Sequence, residues 1–373
     1  MQLANDNFGA RQSPSAKTKP WWLDAAKLSD PKYGQIALWG GIAFSALFTG
    51  LIWLLGDRLA AFPKLPDQGP AWYYWKLADP TWITRLSAWG LYAIHQVVSW
   101  GLIYYAQTRI KKYTPGLHPI NVIALGVNAL FVVLHLVQSH LFYDGLAQDV
   151  SIFSSQGSVI LMLVWIILME NKRRGMFFGK KAPIGKTIVE WAKKYHGYVF
   201  SWAIIYTFWY HPTEHTQGHL LGFAYTFLLL LQSSLFLTRL HVNKYWMVVQ
   251  EIAVAIHGTL VAMQQGGNLW PMFFFGFAAM FLVTQMWGLG LSRKWLIGIT
   301  VGFIGLATAV YWGRPLEFLS EVIRIPLIEY LSVLILALIL GGMLWLWRRV
   351  RTRLESSPPP ETLELAQSPK PAK

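Results

Sequence analysis

The residues with the greatest chemical potential lie in one short run, Trp209-Tyr210-His211-Pro212-Thr213-Glu214-His215-Thr216-Gln217-Gly218-His219. Imidazoles this close in sequence can share one metal ion. Their nitrogens suit zinc, iron and copper, and a carboxylate completes a site for harder ions. Pro212 fits the first position of a helix, with His211 just outside it. Glu214 then falls in the first turn, where the helix dipole favours a carboxylate. His215 and His219, four residues apart, are expected on one face of that helix, with His211 near enough to join them.

The elements that would position these residues are membrane helices. Of 373 residues, 54% are hydrophobic and 13% charged, against about 25% charged in soluble domains. The 20 Trp, 16 Tyr and 21 Phe are the composition of interfacial aromatic belts. Apolar runs centre on 35–55, 84–106, 120–141, 157–170, 196–211, 213–239, 244–264, 269–290, 294–312 and 326–347. The fourth is short and extends back toward Ser151. The fold class is therefore all-α, a polytopic integral membrane protein of about ten transmembrane helices, each about 20 residues long. The segment 58–83, with Trp72, Tyr73, Tyr74, Trp75 and Trp82, reads as an interfacial loop or surface helix.

Basic residues fall in alternate loops. Arg109, Lys111 and Lys112 follow the second run, and Lys172, Arg173, Arg174, Lys180 and Lys181 follow the fourth. Arg239 and Lys244 follow the sixth, Arg293 and Lys294 the eighth, and Arg348, Arg349, Arg351 and Arg353 the tenth. The loops 142–156, 211–218 and 264–268 have no Lys or Arg. Arg58, Lys64 and Lys76 depart from the pattern. By the positive-inside rule both termini are cytoplasmic, as in a bacterial-type inner membrane or its equivalent. The net charge of +14 then belongs to orientation and anionic headgroups. No nucleic-acid motif accompanies it, and membrane lipids are the expected surroundings. The expected organisation is a polar N-terminal tail over 1–32, a transmembrane domain over 33–350 and a disordered, Pro-rich tail over 351–373.

This topology brings more histidines to the outer layer. His135 and His140 lie in the outer part of the third run, followed by Asp144 and Asp149. The seventh run carries Glu251 near its middle and His257 about two turns higher. Ionisable side chains in a membrane point to function by default. His95 sits mid-span in the second run, whereas His118, His196 and His241 read as interfacial. Gly218-x-x-x-Gly222 permits close helix approach.

With no cysteine, thiolate metal sites, iron–sulfur clusters and covalent haem attachment are excluded. Non-covalent haem b is open. A two-haem ladder needs pairs of histidines on one helix face. His196 and His211 are about 60° apart around a helix, but His241 and His257 are about 160° apart. The stretch Tyr198–Gln265 resembles ferric-reductase-like membrane domains in apolar texture and histidine content, and lacks their spacing. Membrane desaturases and hydroxylases share His-x-x-x-His, but their later His-x-x-His-His boxes are missing here.

The expectation is a multi-pass membrane metalloprotein, an oxidoreductase acting on a lipophilic small molecule. Its metal, iron or zinc, would be held by His211, His215 and His219, with His135, His140 and His257 as neighbours. Glu214, Asp144 or Glu251 would serve as carboxylate or proton carrier. The alternatives are a haem b electron-transfer protein, with one outer haem between His211 or His219 and His257 or His135 and with His95 and His257 as cofactor-binding candidates, a proton-coupled or metal transporter, and an assembly factor without chemistry.

Overall fold

The computed structural model describes residues 20–69, 72–266 and 268–356. Most of the two expected tails, 1–19 and 357–373, lies outside the described residues. A short helix α1 (Ala25–Leu28) precedes ten longer ones: α2 (Pro31–Leu55), α3 (Trp82–Arg109), α4 (Pro119–Phe142), α5 (Ile152–Arg174), α6 (Lys186–Phe208), α7 (Gln217–Ser234), α8 (Lys244–Gln264), α9 (Trp270–Val283), α10 (Arg293–Tyr311) and α11 (Glu321–Ser356). Among the described residues there is no β-strand, only isolated bridges such as Lys64 with Leu77.

The chain is thus an all-helical protein with 7 helices long and apolar enough to cross a membrane. Those helices turn large apolar side chains outward. Trp39 on α2 is 65% exposed and Leu338 on α11 is 76% exposed, which suits contact with lipid rather than water. The remaining long helices, α3, α6 and α7, have more polar sequences.

Local signals set the helix ends. Asp30, Thr81 and Asn243 accept backbone N–H groups at the starts of α2, α3 and α8, as capping side chains do. Pro31 and Pro119 occupy first-turn positions whose N–H needs no partner. Two expected spans differ from their sequence reading. The eighth is interrupted, with α9 ending at Val283 before a 3-10 turn over Gln285–Gly288. The tenth is longer, with Pro326 inside α11. Of the segment 58–83, residues 58–61 end a 3-10 turn, residues 62–69 and 72–81 form an irregular cover, and Trp82 and Ile83 begin α3.

Contacts divide the protein into two compact units. One comprises residues up to Val159 together with Gly197–Asn268, and the other Ile160–His196 together with residues from Leu269 onward. In the second, α9 packs on α11 and α10. In the first, α7 packs on α2, α4 and α8, and α3 packs on α4.

The helices of the first unit run up and down, so their ends sort into two layers. At one end, the Asn121 side chain at the start of α4 donates to the carbonyls of Ser234, the last residue of α7, and of Phe236 just beyond it, at 2.8 and 2.9 Å. Leu28, Leu117, Leu231, Leu235, Leu240 and Trp246 form an apolar cluster there. At the other end, the segments following α2, α4 and α6 meet the starts of α3 and α7, and that layer holds the histidine-rich run.

Candidate functional site

Helix α6 stops at Phe208, and residues 209–216 cross to α7 without regular structure. Neighbouring segments satisfy the backbone of this connection. Leu146 and Ala147 donate to the carbonyls of Trp209 and Tyr210 at 3.0 and 3.1 Å. Thr213 donates its N–H to Ser139 Oγ on α4 at 2.9 Å. Thr216, rather than the residue before Pro212, caps α7, its hydroxyl accepting the N–H of His219.

That cap changes the expected histidine geometry. His215 lies outside the helix and His219 in its first turn, so the two do not share a helical face. The His215 ring passes over Gly56, where a Cβ would stand 2.2 Å from its Cγ. Its Nε2 meets Asp57 Oδ1 at 3.1 Å. His219 turns the other way. Its Nδ1 lies 2.7 Å from Thr216 Oγ1 and its Nε2 3.2 Å from Tyr73 Oη.

A different group assembles around His219. The His211 ring stands 5.2 Å from the His219 ring, nearly perpendicular to it. His257 on α8 is close enough to both to repel their positive charge. Its imidazole occupies the space above Gly222, where a Cβ would lie 2.9 Å from His257 Nε2. The small-residue pair thus lets a histidine approach α7. His135 on α4 is 0% exposed and packs against Phe208, Trp209 and Phe223. It lies beside the His211 backbone without closing a hydrogen bond. Both His135 ring nitrogens and His211 Nδ1 are buried without a partner. Such orphaned groups are costly in an apolar interior. Burial, with repulsion from His257 second, pushes the His211 pKa down to about 3.

The cover of this group was not among the sequence candidates. Residues 62–69 and 72–78 lie side by side, with Leu65 donating to Lys76 O and Ala78 to Pro63 O, both at 3.0 Å. This places Tyr73 against His211 and Trp75 against His219, with ring centroids 5.0 and 5.3 Å apart. Lys64 reaches Glu214 at 2.5 Å and lies over the rings of Trp75 and Tyr143. Tyr143 donates its hydroxyl to the same carboxylate oxygen. Glu214 is 1% exposed. It therefore anchors the cover from outside the helix, with its other carboxylate oxygen 3.9 Å from His215 Nδ1. Burial, and then the Glu214 charge, hold the Tyr73 and Tyr143 hydroxyls well above the ordinary phenol range. The aromatic density of residues 72–75 was the only sequence signal for this role.

The remaining candidates have other surroundings. His95 is fully buried, with Nε2 2.8 Å from Asn128 Oδ1 and Nδ1 accepting from Trp209 Nε1 at 3.2 Å. Both its nitrogens are engaged within the protein. His140 sets its nitrogens against the carbonyls of Leu136 and Leu55, at 2.8 and 3.3 Å. Asp144 takes the Gly145 N–H and lies by Thr84, near the start of α3. Burial raises its pKa, opposed by those hydrogen bonds. Glu251 is buried on α8 near Tyr225.

His211, His219 and His257 thus come together with His135 beside His211, and His215 is within electrostatic reach of His219 while paired to Asp57; His95, His140, Asp144 and Glu251 have separate partners. Among the described residues no three His, Asp or Glu side chains are arranged to hold a metal ion as they stand. No family model, curated protein or solved structure matches the chain.

Proposed function

We propose that the chain is a ten-span membrane protein with both termini cytoplasmic, carrying a metal-dependent oxidoreductive centre near the outer face. The alternating loop charges support the orientation. Ten longer helices, 7 of them long and apolar enough to cross a membrane, support the span count. The residues assigned to the centre are His135, His211, His219 and His257. Iron or zinc is the expected ion, because imidazole-only sets select borderline metals over magnesium or calcium. The substrate is a lipophilic small molecule reaching the centre from the bilayer, and the surrounding partners are lipids.

One observation carries this reading: the orphaned nitrogens of His135 and His211. Neutral imidazole offers one lone pair and one N–H. His135 is fully buried with neither nitrogen partnered, and half-buried His211 has its Nδ1 buried without a partner. A bound ion would take the lone pairs and supply the Lewis-acid or redox chemistry. The chain's own residues hold the ion, exclude water through the 62–78 cover and fix that cover through Lys64, Glu214 and Tyr143. Haem held through His95 is the weaker reading, since His95 has both nitrogens engaged within the bundle.

The test is elemental analysis with an absorption spectrum on lipid-embedded wild type, His135→Ala and His211→Ala. Near-stoichiometric iron or zinc in wild type, lost in both variants, is expected. Folded wild type with neither metal nor a Soret band overturns the proposal, and a Soret band replaces it with haem.

A further inference from the structure

Resting on the ten-span reading above, and not on the metal, we infer that the outward face at the C-terminal end of α3 binds an anionic phospholipid, with its phosphate at Arg109 and an acyl chain over Gly101. Gly101, Tyr104, Tyr105, Thr108 and Arg109 line an open cavity of about 490 Å³. Their spacing puts all five on one helix face. The bundle side of α3 is a different face, marked by buried Ala88, His95, Gln96 and Ala106.

The outward face is built in levels. At Gly101 a Cβ would meet nothing within 4 Å, so the helix leaves a notch there. Tyr104 and Tyr105 come next, 65% and 52% exposed. Arg109 is the last residue of α3. Lys111 and Lys112 follow it, and all three cations are exposed. Gly101 and Arg109 are separated by about 12 Å along the axis. The 28 residues of α3 extend about 42 Å, beyond the ~30 Å hydrocarbon layer. Arg109 therefore reaches the headgroups while Gly101 stays among acyl chains.

Charge selects the headgroup. No Asp or Glu occurs in residues 80–143. Among the described residues no ion pair engages Arg109, Lys111 or Lys112. An arginine can hold a phosphate through two parallel hydrogen bonds. Tyr105, one turn before Arg109, is placed to add a hydroxyl donor. Thr108 Oγ1 donates to the carbonyls of Tyr104 and Tyr105, at 2.9 and 3.1 Å. Its oxygen is left to accept from a glycerol hydroxyl. A zwitterionic headgroup brings its own cation against the three basic residues, and a free phosphate has no chain for the notch.

Native mass spectrometry of the full-length protein, released from nanodiscs of equal phosphatidylglycerol and phosphatidylcholine, reads the lipid it retains. Wild type should keep phosphatidylglycerol in clear excess. Arg109→Gln should reduce that excess roughly fivefold, the effect of one basic side chain at an anionic surface. Gly101→Leu fills the notch with a better helix former. It should retain less phosphatidylglycerol without a lower melting temperature. Excess inorganic phosphate should leave the lipid bound. Equal retention of the two lipids by wild type, retention that either variant leaves unaltered, or displacement by phosphate overturns the site. The chain has no cysteine, so Gly101→Cys supplies a single thiol that reports the span separately. A thiol protected from water-soluble maleimide in nanodiscs, with equal lipid retention in wild type, removes the site and leaves the span standing. Free labelling of that thiol removes the span and the site with it.

Discussion

Lys64 and Glu214, 150 residues apart in sequence, meet at 2.5 Å and fasten the cover of the histidine group to the connection that carries it. Glu214 is buried and also accepts from Tyr143, so removing its charge leaves a lysine without its counter-ion. Breaking a buried pair from one side costs more than removing both partners. Lys64 is partly solvated, with 22% of its side chain exposed, so the loss is smaller than for a fully buried pair. Glu214→Gln is expected to destabilise the protein by about 2 kcal/mol, and Lys64→Met by less. The Lys64→Met/Glu214→Gln double variant should lose less than the sum of the two. Thermal unfolding in nanodiscs measures all three, and strict additivity would mean that the pair is not coupled.

His215 tests which histidines act together. The sequence pairs it with His219; the structure turns it to Asp57 across Gly56. His215→Ala should retain the metal content of wild type, whereas His211→Ala should lose it. Gly56→Ala should be destabilising, because the added Cβ meets the His215 ring, and His215→Ala should restore stability in the same chain. Loss of metal in His215→Ala would return His215 to the centre.

How much of this could be read from sequence depends on the range of each interaction. The all-helical fold follows from apolar run length, a local signal, and 7 helices are long and apolar enough to cross a membrane. The gathering of His135, His211, His219 and His257 at one end also follows, since alternating helix direction sorts residues into layers. The His215–His219 pair does not. It depended on Pro212 starting the helix, and Thr216 competes for the same role with a hydroxyl that closes the first turn. Lys64 and Tyr73 were illegible as site residues because their partners are 150 and 146 positions away. Nothing local distinguishes a lysine or tyrosine that covers a site from one that faces the membrane interface.

His211 gives the protein an acid limit. Its folded pKa is pushed down to about 3 by burial, while in the unfolded chain a histidine titrates near 6.5. Between those values the unfolded state binds the proton and the folded state does not. Stability is therefore fully present above about pH 6.5 and falls as pH is lowered, by up to about 1.4 kcal/mol per pH unit from this group. His211→Asn should flatten the decline of melting temperature between pH 7 and pH 5. An unchanged slope would place His211 in contact with water.

His95 should behave as a structural residue despite lying fully buried in the bundle. Its ring stacks on Phe131 with centroids 4.1 Å apart, and its nitrogens join Asn128 to Trp209. Trp209 in turn packs against His135 with ring centroids 4.4 Å apart, so His95 supports the centre from one layer below. His95→Leu leaves buried Trp209 Nε1 and half-buried Asn128 Oδ1 without partners. Each such group costs about 1–3 kcal/mol, and the variant should unfold at a clearly lower temperature. His95→Gln, which can still accept and donate, should recover part of that loss. Both folded variants should keep their metal, since neither removes a proposed ligand. Metal loss in His95→Gln without a drop in melting temperature would make His95 a ligand instead of a support. The two roles separate because support acts through Trp209 and is read in stability, whereas ligation is read in metal content alone.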